Sequence, residues 1–133
     1  MDMITALIMG DPPTVTAQQK GVMVRGGRPM FFTKKKVKDA QDALILQLRQ
    51  WKPRQPVEFP VLIKIKFAFR VTKSRPHERI HAVRPDLDNL CKGVLDALVP
   101  AGWLADDALV DQLVAEKCRT GEPYMEITMK ERL

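Results

Sequence analysis

Residues 84–98 read Arg84-Pro85-Asp86-Leu87-Asp88-Asn89-Leu90-Cys91-Lys92-Gly93-Val94-Leu95-Asp96-Ala97-Leu98. Apolar residues recur in this stretch every three or four positions, at Leu87, Leu90, Cys91, Val94, Leu95 and Leu98. This spacing is typical of an amphipathic helix that buries one face. Asp86 stands directly before the apolar stripe, where a short carboxylate side chain commonly caps a helix N-terminus. The stretch therefore predicts a helix that begins after Asp86 and packs against a core.

The polar flank of the predicted helix carries Asp88, Lys92 and Asp96 at intervals of four residues. Residues at this spacing lie above one another on a helix surface. Lys92 could contact a scissile phosphate or hold a neighbouring carboxylate in place. The simpler explanation is an ordinary ion pair between Asp88 and Lys92, and the spacing alone does not decide between them. We expect Asp96 to lie on the polar flank outside the carboxylate cluster, so that Asp96→Asn is tolerated.

Four carboxylates flank the two ends of this helix. Asp86 and Asp88 stand where it starts, and Asp106 and Asp107 follow shortly after its end, at the head of a predicted strand. Hard oxygen ligands of this kind select Mg²⁺ or Mn²⁺, and a bound cation would assist phosphodiester hydrolysis. The alternative is that Asp86 caps the helix and Asp106-Asp107 forms a turn. Spacing leaves both interpretations open, as well as the choice between Asp106 and Asp107.

The remainder of the chain indicates an α/β (α+β) fold, with a mixed sheet and two main helices in a single domain, residues 1–133. An apolar run at the start and a strictly alternating run in the middle predict strands. The predicted elements are a strand at 3–9, a loop or weak hairpin at 14–33, a helix from Thr33 to about Trp51, a strand at 60–71, an exposed basic loop at 72–83, a strand at 108–117, a turn at 120–122 and a final strand at 125–130.

The charge is distributed unevenly along the chain, whose formal net charge is +6. Two basic segments precede the helix, and acidic residues predominate after Arg84. A basic half beside an acidic half indicates a polyanionic partner next to a cation site, which favours nucleic acid over ordinary solvated surface charge. The candidate DNA-binding residues are Lys34, Lys35, Lys36, Lys73, Arg75, Arg79 and Arg84.

Several protein classes are disfavoured by the composition. The apolar runs are too short to span a bilayer, and the first residues lack the basic start of a secretory signal, so a cytoplasmic protein is the default. Cys91 and Cys118 are too far apart in sequence to indicate a disulfide framework or a zinc site. No glycine-rich phosphate loop of the P-loop type occurs. His77 and His81 fall in the basic loop, where we interpret them as solvated or phosphate-contacting.

The motif Asp86-x-Asp88-Asn89-x-x-Lys92-x-x-x-Asp96-Ala97-Leu98, followed by Gly102-x-x-x-Asp106-Asp107-x-x-Val110, resembles the RusA family of Holliday junction resolvases. The match is tight over roughly the C-terminal third of the chain. The resemblance implies a small α/β domain that forms a homodimer and cuts four-way DNA junctions with Mg²⁺. It also implies that Asp86, Asp88 and Asp107 hold the metal and that Lys92 is essential for catalysis.

The function that follows from the resemblance is that of a Mg²⁺-dependent, structure-selective endodeoxyribonuclease. Such an enzyme would resolve four-way junctions by paired symmetric nicks, with Mn²⁺ as a possible substitute metal and with no small-molecule cofactor or membrane partner. A phage recombination or packaging context fits this activity. The alternatives are a non-catalytic DNA-binding protein of the same fold and, less favoured, a phosphohydrolase for small substrates. The apolar candidates for a dimer interface are Trp103, Leu104 and the exposed parts of residues 44–51.

Overall fold

The computed structural model of this chain describes residues 3–14, 23–25, 28–30 and 32–132. It confirms an α/β fold with two helices and a mixed sheet. A 3₁₀ turn, Asp107–Leu109, precedes the fifth strand. The elements are β1 (Met3–Met9), β2 (Met23–Arg25), β3 (Arg28–Met30), α1 (Phe32–Arg49), β4 (Val61–Arg70), α2 (Leu87–Leu98), β5 (Val110–Thr120) and β6 (Tyr124–Glu131).

The main sheet contains four strands in the order β1-β6-β4-β5. β6 pairs antiparallel with both β1 and β4, whereas β4 pairs with β5 in parallel. Parallel neighbours cannot be joined by a tight hairpin, so the chain crosses over between them, and α2 lies in this crossover. β2 and β3 form a separate antiparallel pair, which confirms the hairpin predicted within residues 14–33. The rest of that predicted segment falls largely outside the described residues.

The core lies on one face of this sheet. The alternation along β4 places Val61, Ile63, Ile65, Phe67 and Phe69 on the buried face, where each is less than a tenth exposed. Both helices contribute apolar side chains to the same cluster, so they cover this face of the sheet. The periodicity of α2 is confirmed, since its buried residues are Leu90, Cys91, Val94, Ala97 and Leu98.

Helix α1 begins at Phe32, so Thr33 falls inside the helix instead of preceding it. A difference of one or two residues is normal at frayed helix ends. Leu44 and Leu48 are buried as the periodicity predicts, while Trp51 lies beyond the helix and remains 41% exposed. No helix within the described ranges is long and apolar enough to cross a membrane.

The expectation that Trp103 and Leu104 belong to a dimer interface is wrong. Both side chains are at most 1% exposed and belong to the core. The indole N–H of Trp103 donates to the carbonyl oxygen of Leu48 at 2.8 Å. The polar group of this buried side chain therefore has a hydrogen-bond partner. Gly102 directs the chain into this position with a φ of +85°, and an added Cβ there would lie 3.1 Å from the Lys52 side chain. The connection after α2 therefore packs inward.

Candidate active site

A groove of about 780 Å³ lies between α2 and β5. Its apolar lining comes from Leu87, Cys91, Leu95, Val110, Leu113 and Ala115. The charged residues that line it are Asp88, Lys92 and Asp96 of α2, Asp107 of the 3₁₀ turn and Asp111 of β5. The polar flank of α2 thus faces a second element of the fold. Carboxylates that are distant in sequence share one concave surface with a lysine.

The geometry distinguishes Asp106 from Asp107. The Asp106 carboxylate accepts a hydrogen bond from the backbone N–H of Ala108 at 2.9 Å and so caps the 3₁₀ turn. Asp107 is the first residue of that turn, and its exposed side chain lines the groove opposite α2. Of these two candidates, Asp107 is the one that shares the groove with Asp88 and Lys92.

The ion pairs in the groove leave two carboxylates available. Lys92 Nζ lies 3.3 Å from Asp96 Oδ2, so its partner is Asp96 and the simple pair between Asp88 and Lys92 does not form. Asp111 is engaged by Arg132 at 3.1 Å. Asp88 and Asp107 have no ion-pair partner in the part of the chain that the structure describes. Asp96 was expected outside the cluster, but it lines the same groove because β5 covers this flank of α2.

Asp86 occupies the N-cap position that the sequence predicts. Its backbone carbonyl accepts from the Leu90 N–H at 3.1 Å, but its carboxylate makes no capping hydrogen bond. The carboxylate lies 3.9 Å from the Arg84 guanidinium and is about half exposed. Asp86 does not line the groove with Asp88 and Asp107. Two of the three predicted metal ligands, Asp88 and Asp107, therefore line one groove, and Asp86 does not.

The carboxylate groups of Asp86, Asp88 and Asp107 are of the chemical type that binds a hard divalent cation. Carboxylate oxygens are the ligands that Mg²⁺ and Mn²⁺ prefer. Among the residues described, no three Asp, Glu, His or Cys side chains are grouped closely enough to form a ready metal site. Asp86 and Asp88 are exposed and are separated by one residue at the start of α2. Rotation of their side chains is the movement that a shared cation would require.

The predicted role of His81 as a solvated or phosphate-contacting residue is wrong. The side chain is only 7% exposed, and its ring stacks on Phe69 with a centroid distance of 4.3 Å. Burial lowers the pKa of His81, and the charges of Lys117 and Arg119 act in the same direction. His81 Nδ1 is buried without a hydrogen-bond partner. The loop pattern did not reveal this position, because the aromatic partner lies on a distant strand.

Lys117 is a residue of the site region that the sequence did not single out. Its ammonium donates to the carbonyl oxygens of Val83 at 2.7 Å and of Pro85 at 2.9 Å. These carbonyls belong to the segment that leads into α2, through a cis Arg84–Pro85 peptide bond. Lys117 pairs in register with Phe67 and shares the helix-covered face of the sheet. The sequence did contain an indication of this role, because the alternation along β5 places Lys117 on the same face of the strand as Leu113 and Ala115.

The candidate DNA-binding residues lie in two places. Lys35 and Lys36 are exposed near the start of α1, whereas the Lys34 side chain falls outside the description. Gln41 of α1 donates to the Gly93 carbonyl at 2.9 Å, so α1 is fixed against α2. The other four are exposed along the segment that leads into α2, namely Lys73, Arg75, Arg79 and Arg84. Basic side chains therefore occur on both elements adjacent to α2.

Comparisons with known proteins agree on one family. The sequence profile of the family Endodeoxyribonuclease RusA matches residues 11–130. A curated relative, the crossover junction endodeoxyribonuclease rusA of Lactococcus phage r1t, is 27% identical over 123 residues. That alignment covers 91% of this chain and 92% of the relative. The profile includes every residue of the groove described above.

Proposed function

The chain belongs to the RusA family of endodeoxyribonucleases, and on that premise we propose that it resolves four-way (Holliday) DNA junctions by metal-assisted phosphodiester hydrolysis. The observation that carries the proposal is the groove that Asp88 of α2, Asp107 of the 3₁₀ turn and Lys92 line together. Unpaired carboxylates beside a cationic side chain match the needs of a reaction that develops negative charge on phosphate.

Asp86, Asp88 and Asp107 are the residues that would hold the cation, Mg²⁺ by preference and Mn²⁺ as a substitute. When bound, a divalent cation supplies Lewis-acid stabilisation of the phosphate and lowers the pKa of water. Asp88 and Asp107 line the same groove from different elements, which supports their assignment to one site. Asp86 joins them by turning away from Arg84, to which it is only weakly held at 3.9 Å.

Lys92 is proposed to act on the phosphate directly. Lys92 lies on the flank of α2 that lines the groove. Its Nζ atom is 3.3 Å from Oδ2 of Asp96, with which it forms an ion pair. Both partners are about half exposed, so the pair is weak and easily exchanged for a stronger anion. A phosphate in the groove would therefore compete for Lys92, which would then stabilise the charge on the nonbridging oxygens.

The flanking basic residues are proposed to hold the duplex arms. Contacts to phosphate position a protein on DNA without reading its sequence, and they suit a substrate that is defined by shape. Arg84 lies beside Asp86, so the basic segment reaches the edge of the active site. The candidates remain Lys34, Lys35, Lys36, Lys73, Arg75, Arg79 and Arg84.

Junction resolution is proposed to proceed by paired symmetric nicks in a homodimer. A four-way junction presents two equivalent strands, and two active sites related by a two-fold axis match that symmetry. The relative named above is from a phage, which supports a setting in phage DNA recombination within the bacterial cytoplasm.

The decisive experiment is incubation with a synthetic four-way junction, with and without Mg²⁺. We expect two nicks at symmetric positions that depend on the cation, and no cleavage of a linear duplex with the same arm sequence. Equal cleavage of the junction and the duplex would contradict the proposed substrate. Tight junction binding without cleavage in Mg²⁺ or Mn²⁺ would instead favour a non-catalytic DNA-binding protein of the same fold.

A further inference from the structure

The segment that carries Asp86 is attached to the sheet at few points. The Arg119 N–H donates to the Arg79 carbonyl at 2.9 Å, and Ile80 forms an isolated bridge with Cys118. After this bridge His81 stacks on Phe69 of β4, and the chain then runs through the exposed residues 82–84 to the buried Pro85. Regular backbone pairing to β5 therefore ends several residues before α2 begins, although the position of Asp86 depends on this stretch.

Lys117 provides the attachment that the backbone does not. Its Nζ atom bridges two carbonyls of this stretch, at 2.7 Å for Val83 and 2.9 Å for Pro85. Hydrogen bonds from an ammonium group are stronger than those between neutral groups, and these two meet at one atom. The Pro85 carbonyl belongs to the peptide that joins directly to Asp86. The Lys117 backbone is fixed within β5, so its side chain links the sheet to the entrance of the active-site helix.

We propose that Lys117 is a positioning residue of the active site, which holds the Val83–Pro85 backbone so that Asp86 and Asp88 are presented toward Asp107. The inference rests on the proposed metal-dependent function, and it adds a role for a residue outside the groove. Residues that orient metal ligands from behind typically contribute 10–100-fold in metal affinity. The arrangement also explains why two cationic bonds are directed at backbone carbonyls instead of at solvent.

The test uses Lys117→Met, which keeps an unbranched apolar stem as far as Cε and removes the ammonium, and Lys117→Arg, which keeps the charge and a set of N–H donors. The matched control is Lys130→Met, because Lys130 is an exposed lysine on β6 that does not line the groove. We expect the Mg²⁺ concentration for half-maximal junction cleavage to rise about tenfold in Lys117→Met. It should recover at least partly in Lys117→Arg and stay unchanged in the control.

Two further measurements separate positioning from other roles. Amide hydrogen exchange should accelerate across residues 82–88 of Lys117→Met, while exchange in β4 and β6 stays at the wild-type rate. Affinity for the junction without a divalent cation, and its salt dependence, should be unchanged. A weaker affinity with a shallower salt slope would show that Lys117 contacts DNA, and would overturn the proposal.

The proposal and the function on which it rests can fail separately. If the wild-type protein does not cleave junctions, hydrogen exchange over residues 82–88 still determines whether Lys117 holds this segment. If the wild-type protein cleaves and Lys117→Met shows unchanged Mg²⁺ dependence, the positioning role is wrong although the nuclease assignment stands. If Lys117→Met does not fold, the same measurements on Lys117→Gln decide the question, since that amide can make at most two weaker, uncharged bonds.

Discussion

At the scale of single residues, Asp106 and Asp107 show how the local hydrogen bonds of two neighbouring carboxylates separate their roles. Asp106 accepts from the Ala108 N–H and caps a 3₁₀ turn, and this capping leaves Asp107 directed to the groove. An amide side chain at position 106 still offers an oxygen to that N–H. At position 107 the same substitution removes a charged ligand, so the pair provides its own matched control.

We predict that Asp88→Asn and Asp107→Asn each abolish junction cleavage, whereas Asp106→Asn retains most of it. The amide has nearly the same shape as the carboxylate, but it carries no charge and binds Mg²⁺ poorly. Junction binding without the metal should survive, and should tighten slightly because a negative charge facing phosphate has gone. Gel mobility shifts and product analysis check both parts. Full cleavage by the Asp88 and Asp107 variants would remove this groove from consideration as the active site.

The pair formed by Lys92 and Asp96 leads to a second prediction. Lys92→Ala should stop cleavage, because the groove loses the cation that faces the phosphate. Asp96→Asn should be tolerated, since the amide oxygen can still accept from Lys92 and a half-exposed pair of this kind contributes roughly a few tenths of a kcal/mol. Single-turnover rates and thermal unfolding measure the two effects. A loss of cleavage in Asp96→Asn equal to that in Lys92→Ala would assign Asp96 a direct role.

The buried imidazole of His81 predicts acid sensitivity. Burial lowers the pKa of His81 in the folded protein, assisted by Lys117 and Arg119 and opposed by Glu78. As pH falls below 6.5, the ordinary pKa of histidine, His81 is protonated in the unfolded chain but stays neutral in the folded protein. The free energy of unfolding therefore decreases. Above that pH the contribution vanishes, because both states are neutral.

The measurement is the free energy of unfolding by urea between pH 7 and about pH 5. His81→Phe should flatten the decline in this window, because the apolar ring can still stack on Phe69 and has no proton to bind. His77→Phe is the control, since His77 is exposed in the same loop. An identical pH dependence in wild type and His81→Phe would contradict this prediction.

At the scale of secondary-structure elements, the sequence predicts what is local. Helix α2 follows from the spacing of its apolar residues, and β4 follows from the alternation that begins at Val61. The location of Asp107 depends on the parallel pairing of β4 with β5, which no local pattern encodes. The same applies to His81 and Lys117, whose partners lie on other elements. Candidate residues could therefore be named from the sequence, whereas which of them share one groove depends on the tertiary pairing.

The basic start of α1 carries the next prediction. Cations in the first turn of a helix are disfavoured by its dipole, and a bound phosphate relieves this cost. Replacement of Lys34, Lys35 and Lys36 by alanine should weaken junction binding for all sequences. Each lost phosphate contact should reduce the salt slope by about 0.9 on duplex DNA.

The control for this prediction is Lys38→Ala on the same helix, since Lys38 is paired with Asp42 at 3.1 Å. Thermal unfolding of the triple variant should remain close to that of wild type, because exposed lysines contribute little to stability. Affinity and salt slope that match the wild type would make these lysines ordinary solvated surface.

At the scale of the whole molecule, assembly is the property to test. We predict a homodimer, and the burial of Trp103 and Leu104 shifts its interface to other surfaces. Leu46 and Trp51 remain among the exposed apolar side chains, at 60% and 41%. Light scattering at micromolar concentration should give twice the chain mass of 15.1 kDa.

A variant test can locate the dimer interface. Leu46→Lys should shift the protein toward monomer, whereas Met9→Lys on the outer strand β1 should leave the dimer intact. A single-chain mass for the wild type that junction DNA does not change would contradict dimerisation. Equal masses for the two variants and the wild type would place the interface away from Leu46.

The strand order has a consequence for how the protein is made. β6 is the last strand along the described chain, yet it lies between β1 and β4 in the middle of the sheet. The residues from Asp86 to Asp107 lie in the long connection from β4 to β5. Closing this connection costs conformational entropy, and the strand pairing that offsets the cost forms only afterwards. A growing chain on the ribosome therefore has no completed sheet on which to assemble the groove until residues 124–131 emerge. We therefore expect the groove to form late in synthesis, after β6 has joined the sheet.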